Sequence, residues 1–174
     1  MMTVRLRIAT MVARWLLMGR PSTTEPVQVL QLRCTPFDCD INGHMNNSRY
    51  LSLMDLGRWH YILAGGLWKP VREWGWAPVA VRVEIDYKQS LQPFERFTLE
   101  TRVVAGSARS ITIQQRFLRG EAIAAEAKVV VLFLAKGKVQ DLAPLHAAMP
   151  HAAPPGWVLP VDGEVDQREA LHVG

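Results

Sequence analysis

Residues 36–58 read PFDCDINGHMNNSRYLSLMDLGR, and they contain the pattern from which most of the architecture can be predicted. Two aspartates, Asp38 and Asp40, come before a polar segment that ends at two consecutive asparagines. Apolar residues then recur every three or four positions, which predicts a helix with one buried face. Either Asn46 or Asn47 can cap this helix, because an asparagine oxygen accepts a hydrogen bond from an N–H of the first turn.

The location of Asp40 just before this helix indicates a candidate catalytic site. Backbone N–H groups and the helix dipole favour negative charge at a helix N-terminus, so a carbonyl held there could become an oxyanion beside Asp40. An Asx-rich segment of this kind is also explained by a turn and a cap alone. Asp55 lies three residues before Arg58, which predicts an i,i+3 ion pair. Asp55 is also the reserve carboxylate, that is, the second candidate for the catalytic group if Asp40 is not that group.

The rest of the chain changes from helical to strand periodicity. The helix is expected over residues 47–64 and to end at Gly65-Gly66. Residues 67–78 contain three tryptophans and are interpreted as an ordered loop over a pocket, with ordinary edge packing as the alternative. Alternating or continuous apolar runs predict strands. These runs cover residues 27–34, 79–87, 97–103, 111–117 and 122–134.

One strand, one long helix and four further antiparallel strands predict an α+β fold. Such a five-stranded sheet can bury one face by wrapping around the helix. The sheet would leave an unpaired edge, and Gly57 would give the helix a flat site that another backbone could approach. We therefore expect a two-fold dimer, or a dimer of dimers, in which two sheets form one of about ten strands.

The segment from Asp38 to Tyr50 resembles the active-site segment of hot-dog-fold acyl-CoA thioesterases, the family around 4-hydroxybenzoyl-CoA thioesterase. It is most similar to bacterial members with D-x-D-x-N-x-H-M-N-N-x-x-Y, and the likeness covers about residues 27–142. The resemblance implies hydrolysis of an acyl-CoA, with Asp40 as general base or nucleophile. It also implies that the backbone N–H of Asn47 polarises the thioester carbonyl.

The same resemblance extends to further site residues. Asn42 and His44 would orient Asp40 or the attacking water, although His44 could instead be a structural hydrogen-bond donor. Tyr50 and Met54 would line the acyl tunnel. No metal or redox cofactor is implied, and the active sites of such proteins form between two subunits.

The chain departs from related patterns at two positions. Plant acyl carrier protein thioesterases have a glutamate where this chain has Ser90, and short-chain members often have a histidine where it has Asn47. The plant enzymes nevertheless place Asp, Asn and His at the spacing of Asp40, Asn42 and His44, so this resemblance makes an acyl carrier protein thioester an alternative substrate. A hot-dog dehydratase would need a histidine paired with an acid, and the domain offers only His60 besides His44. A further alternative is a non-catalytic protein that binds acyl thioesters or lipids at a membrane surface.

The composition of the chain bears on its number of domains, on nucleic-acid binding and on the state of its cysteines. A chain of 174 residues with 49% hydrophobic content is long enough for one domain with a substantial core. Residues 1–24 contain four arginines and no acid, so the rest has 20 − 4 = 16 basic against 16 acidic residues. A neutral domain argues against a nucleic-acid-binding surface. Cys34 and Cys39 form no disulfide framework, and we interpret both as reduced thiols of a cytoplasmic protein.

Three regions are predicted along the chain. Residues 1–26 would form a basic amphipathic helix and a linker, residues 27–142 the hot-dog domain, and residues 143–174 a proline-rich extension. The apolar run near the start is too short to span a bilayer. Residues 1–20 could lie on an anionic membrane surface, or they could pack on the domain or on a partner subunit.

Overall fold

The computed structural model describes residues 9–11, 13 and 25–149. Residues 9–11 and 13 are helical. The rest of the predicted N-terminal helix and most of its linker lie outside the described residues, as does the C-terminal extension from residue 150 onward. In the part of the chain that is described, no helix combines the length and apolar character needed to cross a membrane.

One antiparallel sheet forms the frame of the domain. Its strands are β1 Val27–Arg33, β2 Ala77–Tyr87, β3 Arg96–Gly106, β4 Ser110–Arg119, β5 Ala122–Ala135 and β6 Lys138–Val139. Its main path has the order β1-β3-β4-β5-β2, and the short β6 adds to β5. This confirms the predicted sheet of five antiparallel strands, whereas β6 was not predicted. Its two residues pair with Leu134 and Ala135 after the turn at Gly137.

The long helix α1, Asn47–Ala64, has the predicted bounds. Asn46 is the N-cap, because its side chain accepts a hydrogen bond from the Ser48 N–H at 2.9 Å. The Gly65 N–H donates to the Tyr61 carbonyl at 2.9 Å at the other end. The helix packs on β1 and β3, so the sheet buries its inner face against α1.

Gly57 has a different role from the predicted one. A Cβ at this position would lie 2.7 Å from Gln115 Nε2, 2.8 Å from Thr101 Oγ1 and 2.9 Å from Leu99 Cδ2. The glycine therefore allows α1 to approach the inner face of its own sheet. The expectation that Gly57 leaves room for another backbone was wrong, because side chains of β3 and β4 already occupy that space.

The segment after α1 also differs from the prediction. It contains a short helix, α2, Trp68–Glu73, where a loop was expected. Pro70 lies in the first turn, where a proline removes no intrahelical hydrogen bond. Trp68 packs edge-on against Trp59 of α1 with ring centroids 5.8 Å apart. A further short helix, α3, Ala143–Ala148, lies at the start of the predicted proline-rich extension.

The strand β2 lies at one edge of the sheet and pairs only with β5 along the main path. Its alternation predicted a half-buried strand, but several of its apolar side chains are exposed in the single chain. Val83 is 40% exposed and Tyr87 is 42% exposed. The opposite edge is β1, where Val29 is 47% exposed.

Candidate active site

The first aspartate of the pair has a structural role. Asp38 is 5% exposed, and its Oδ2 accepts hydrogen bonds from the Thr35 N–H at 2.9 Å and the Thr35 hydroxyl at 2.7 Å. The Arg49 guanidinium lies 4.0 Å from Asp38 Oδ1. The Asn46 N–H also donates to the Asp38 carbonyl at 2.9 Å. Asp38 therefore fixes the loop against the start of α1.

The second aspartate is partly exposed and is held differently. Its Oδ1 accepts the Asn42 backbone N–H at 2.9 Å, and its Oδ2 accepts the Asn46 side-chain amide at 3.3 Å. Gly43, with φ of 75°, closes the turn by donating its N–H to the Asp40 carbonyl at 3.0 Å. The Asp40 N–H donates to the His44 carbonyl at 3.1 Å. The carboxylate is thus oriented by two donors and still faces solvent.

The first turn of α1 supplies a backbone donor near this carboxylate. Asn46 accepts the Ser48 N–H through its side chain and the Arg49 N–H through its carbonyl, each at 2.9 Å. As the first helical residue, Asn47 has a backbone N–H with no intrahelical acceptor. The Asn47 carbonyl accepts the Tyr87 hydroxyl at 3.3 Å, which connects the end of β2 to this turn. The geometry allows one N–H to face a substrate carbonyl.

Asn42 and His44, which were predicted to orient Asp40, reach it through backbone atoms. Asn42 contacts Asp40 through its backbone N–H. The His44 ring has one weak contact, between Nδ1 and the Met45 carbonyl at 3.5 Å, and among the described residues none to the Asp40 carboxylate. The side chain that does reach Asp40 is Asn46. The capping role of Asn46 was predicted from the sequence, but its hydrogen bond to Asp40 depends on the path of the loop.

Tyr50 and Met54 are core residues of the single chain. Tyr50 is 2% exposed and Met54 is fully buried. The Tyr50 ring packs edge-on against Phe117 at 4.9 Å and Tyr87 at 5.2 Å between centroids. Burial raises the pKa of the Tyr50 hydroxyl, so it stays protonated at neutral pH. Their predicted place in an acyl tunnel stays a prediction.

A buried polar network crosses from α1 to the sheet farther along the helix. Gln115 is fully buried and donates to the Met54 carbonyl at 2.9 Å and the Thr101 hydroxyl at 3.0 Å. Its oxygen accepts from Arg58 at 3.1 Å, and Arg58 also donates to Asp55 at 3.3 Å. This confirms the predicted Asp55–Arg58 pair. Sequence reasoning missed Gln115, although it is a polar residue at an inward position of a strand.

The Asp55–Arg58 pair lies at a cavity of about 120 Å³. The cavity has mostly apolar walls from the later part of α1, from α2 and from the sheet, and both Pro78 and Ala80 at the start of β2 contribute. Burial lowers the pKa of the Arg58 guanidinium, and Asp55 opposes this shift. From Asn47 to Arg58 the helix rises about 16 Å. The cavity and Asp40 therefore lie at opposite ends of α1.

No group of three or more His, Cys, Asp or Glu side chains within residues 25–149 and the short described N-terminal segments is arranged to hold a metal ion.

An antiparallel sheet around one long helix, with a carboxylate loop at the N-terminus of that helix, defines a hot-dog-fold protein. The chain belongs to the thioesterase-like superfamily, whose family model matches residues 34–153. The resemblance found in the sequence is confirmed at this level.

The chain is also similar to individual proteins over about half of its length. The chain is 34% identical over 83 residues to protein THEM6 of Xenopus laevis, covering 48% of this chain and 40% of that protein. It is 35% identical over 91 residues to THEM6 of Danio rerio, covering 52% and 45%. The matched segment thus spans less than half the length of these curated relatives.

Solved structures share the fold. YbaW, a probable thioesterase of Escherichia coli, superposes with a TM-score of 0.67 at 19% identity, covering 71% of this chain and 97% of that chain. Slr0204 of Synechocystis, a 1,4-dihydroxy-2-naphthoyl-CoA thioesterase, superposes with a TM-score of 0.63 at 16% identity, covering 71% and 96%.

Proposed function

We propose that this protein hydrolyses an acyl-CoA thioester to the free acid and CoA. The observation that carries the proposal is the Asp40 carboxylate, which is partly exposed and held by Asn46 directly before the N-terminus of α1. The membership of the chain in the thioesterase-like superfamily supports the reaction class. The name of the Synechocystis protein supports a CoA thioester as the substrate.

The reaction can proceed by either of two roles for Asp40. As a general base, the carboxylate takes a proton from water while the water oxygen attacks the thioester carbon. As a nucleophile, a carboxylate oxygen attacks that carbon and forms an anhydride, which water then hydrolyses. The Asn47 N–H would stabilise the negative oxygen in both cases, helped by the helix dipole. The CoA thiolate leaves and takes a proton from solvent.

The proposed dimer would form through the exposed edge of β2. This edge carries unpaired backbone groups and exposed apolar side chains, and sheet proteins commonly pair or cover such edges. In a two-fold antiparallel pair, the first residues of one β2 lie opposite the last residues of the other. Tyr87 at the end of β2 contacts the start of α1, whereas Pro78 and Ala80 at its beginning line the cavity.

The dimer would therefore bring the Asp40 loop of one subunit beside the cavity of the other. We propose that this cavity receives the acyl group. A dry apolar cavity of roughly 150 Å³ can bind benzene, so about 120 Å³ suits a short or single-ring acyl group. The Asp55–Arg58 pair would contact the end of that group.

The test is hydrolysis of a panel of acyl-CoAs by the purified chain, from acetyl-CoA through benzoyl-CoA to palmitoyl-CoA. Asp40→Asn should lower turnover at least about a hundredfold, because it removes a catalytic base. Asp55→Asn tests the reserve carboxylate, which lies within α1, and should keep far more turnover than Asp40→Asn because Asp55 takes no part in proton transfer. Near-normal turnover in Asp40→Asn together with loss in Asp55→Asn would contradict the assignment. Binding of an acyl-CoA without hydrolysis would favour the non-catalytic alternative.

A further inference from the structure

The two cysteines of the chain lie against each other beside the proposed catalytic loop. Their sulfur atoms are 3.5 Å apart, and both thiols also contact the Thr35 carbonyl, at 3.8 Å from Cys34 and 3.5 Å from Cys39. A disulfide bond is about 2.05 Å long, so the two sulfurs need to approach by only about 1.5 Å to bond. Cys34 is fully buried, and Cys39 is partly exposed.

The backbone is held on both sides of this pair. The Cys34 N–H donates to the Glu95 carbonyl at 2.9 Å, and the Cys34 carbonyl accepts the Phe94 N–H at 2.8 Å, so Cys34 is fixed to the residues just before β3. The Cys39 N–H donates to the Pro36 carbonyl at 3.2 Å, and Cys39 forms an isolated bridge with Met45. Cys39 directly precedes Asp40. Closure of a bond would therefore pull on the bridge that positions this loop, and we expect it to displace the Asp40 carboxylate.

We propose that Cys34 and Cys39 form a reversible oxidation site, in which a peroxide converts the two thiols to a disulfide and lowers the activity of the Asp40 site. The effect on activity rests on the proposed thioesterase function. Formation of the disulfide itself does not depend on that function.

The chemistry needs only a peroxide. The Cys39 sulfur attacks one peroxide oxygen and the O–O bond breaks, which gives a sulfenic acid and one water. The Cys34 sulfur then attacks the sulfenic sulfur, the S–O bond breaks, and a second water leaves as the S–S bond forms. The two thiols lose two protons and two electrons, and hydrogen peroxide becomes two waters. A dithiol reductant reverses the bond.

The surroundings of the two sulfurs fix the order of these steps. Burial and the neighbouring Cys39 raise the pKa of the Cys34 thiol to about 12. Cys34 therefore stays protonated and is shielded from solvent, whereas the partly exposed Cys39 can meet the peroxide first. Displacement of a catalytic group by about 1 Å can cost about a hundredfold in rate, so we expect at least a tenfold loss on oxidation.

The experiment treats the purified full chain with hydrogen peroxide and then alkylates the remaining thiols before intact-mass analysis. Neither thiol should then react with the alkylating agent, and the mass of the oxidised chain should be about 2 Da below that of the reduced chain before alkylation. Hydrolysis should fall and should return after a dithiol reductant. Cys39→Ser removes the thiol that meets the peroxide first and should lose no activity reversibly. Cys34→Ala stops at the Cys39 sulfenic acid, so it should form no disulfide and should gain about 16 Da.

Three results would overturn the inference: two thiols that stay reactive, a disulfide that leaves hydrolysis unchanged, or an equal and reversible loss in Cys39→Ser. The mass measurement needs no substrate. It therefore separates failure of this site from failure of the proposed function. If the proposed function is wrong, the reduced chain will show no hydrolysis even before peroxide is added.

Discussion

The side chain of Asn46 connects the Asp40 carboxylate to the first turn of α1. Its Nδ2 donates to Asp40 Oδ2 at 3.3 Å, while its Oδ1 accepts the Ser48 N–H at 2.9 Å. A single amide therefore caps the helix and orients the proposed catalytic group. This arrangement couples the position of Asp40 to that of the Asn47 N–H, because both depend on one side chain.

Substitution of Asn46 can separate these two roles. Asn46→Ser keeps a good capping oxygen but is too short to reach Asp40, so turnover should fall about tenfold or more with little change in stability. Asn46→Ala removes both bonds, and it should also lower the free energy of unfolding by about 1 kcal/mol. Urea unfolding and acyl-CoA hydrolysis measure the two effects. Full activity in Asn46→Ser would show that the 3.3 Å bond has no catalytic role.

Gly57 should tolerate no side chain. Alanine would gain about 1 kcal/mol in helix propensity, but its Cβ would contact three buried groups at 2.7, 2.8 and 2.9 Å. Overpacking of this kind costs about 1–3 kcal/mol. After the gain in helix propensity is subtracted, Gly57→Ala should lower the free energy of unfolding by up to about 2 kcal/mol. Ser52→Ala on the same helix is the control and should be nearly neutral in urea unfolding. A stabilised Gly57→Ala would mean that the sheet can move away from α1.

Local signals in the sequence predicted much of this structure. Asn46 and Gly65-Gly66 fixed both ends of α1 because capping depends on neighbouring residues alone. The contacts of Gly57 could not be read in this way, since Thr101 and Gln115 come from distant strands. The two aspartates of the loop also look alike in sequence. Only the fold shows that Asp38 is enclosed by Thr35 and Arg49.

The buried amide of Gln115 should be important for stability. It joins β4 to the Met54 carbonyl, the Thr101 hydroxyl and the Arg58 guanidinium. Gln115→Leu keeps the approximate size but leaves these groups without their partner, which should cost about 1–3 kcal/mol in urea unfolding. Gln140→Leu, at a more exposed position, should cost less than about 0.5 kcal/mol. Equal effects of the two substitutions would contradict the importance of the network.

The two edges of the sheet allow a matched test of assembly. Val83→Lys in β2 would place two ammonium groups near the two-fold axis of the proposed dimer, where like charges oppose pairing. Val29→Lys makes the same change on β1, at a side chain of similar exposure, 47% against 40%. Light scattering at micromolar concentration should find a dimer for the unaltered chain and Val29→Lys, and a monomer for Val83→Lys. Dissociation by Val29→Lys alone would place the interface on β1.

Mixed dimers can test whether the active site joins Asp40 of one subunit to the cavity of the other. Val71 is buried in α2 and lines the cavity, so Val71→Phe should fill the cavity without changing an exposed side chain of β2. Two differently tagged chains give dimers of known composition. In the first, Asp40→Asn and Val71→Phe lie on separate subunits; in the second, both lie on one subunit and the other is unaltered.

The two arrangements give opposite results if each site combines two subunits. With the substitutions separated, one site has both defects and the other has none, so about half of the benzoyl-CoA hydrolysis should remain. With both on one subunit, each site has one defect, and hydrolysis should be nearly lost. The reverse outcome would mean that the acyl group binds in the cavity of the subunit that supplies Asp40, about 16 Å along the same helix.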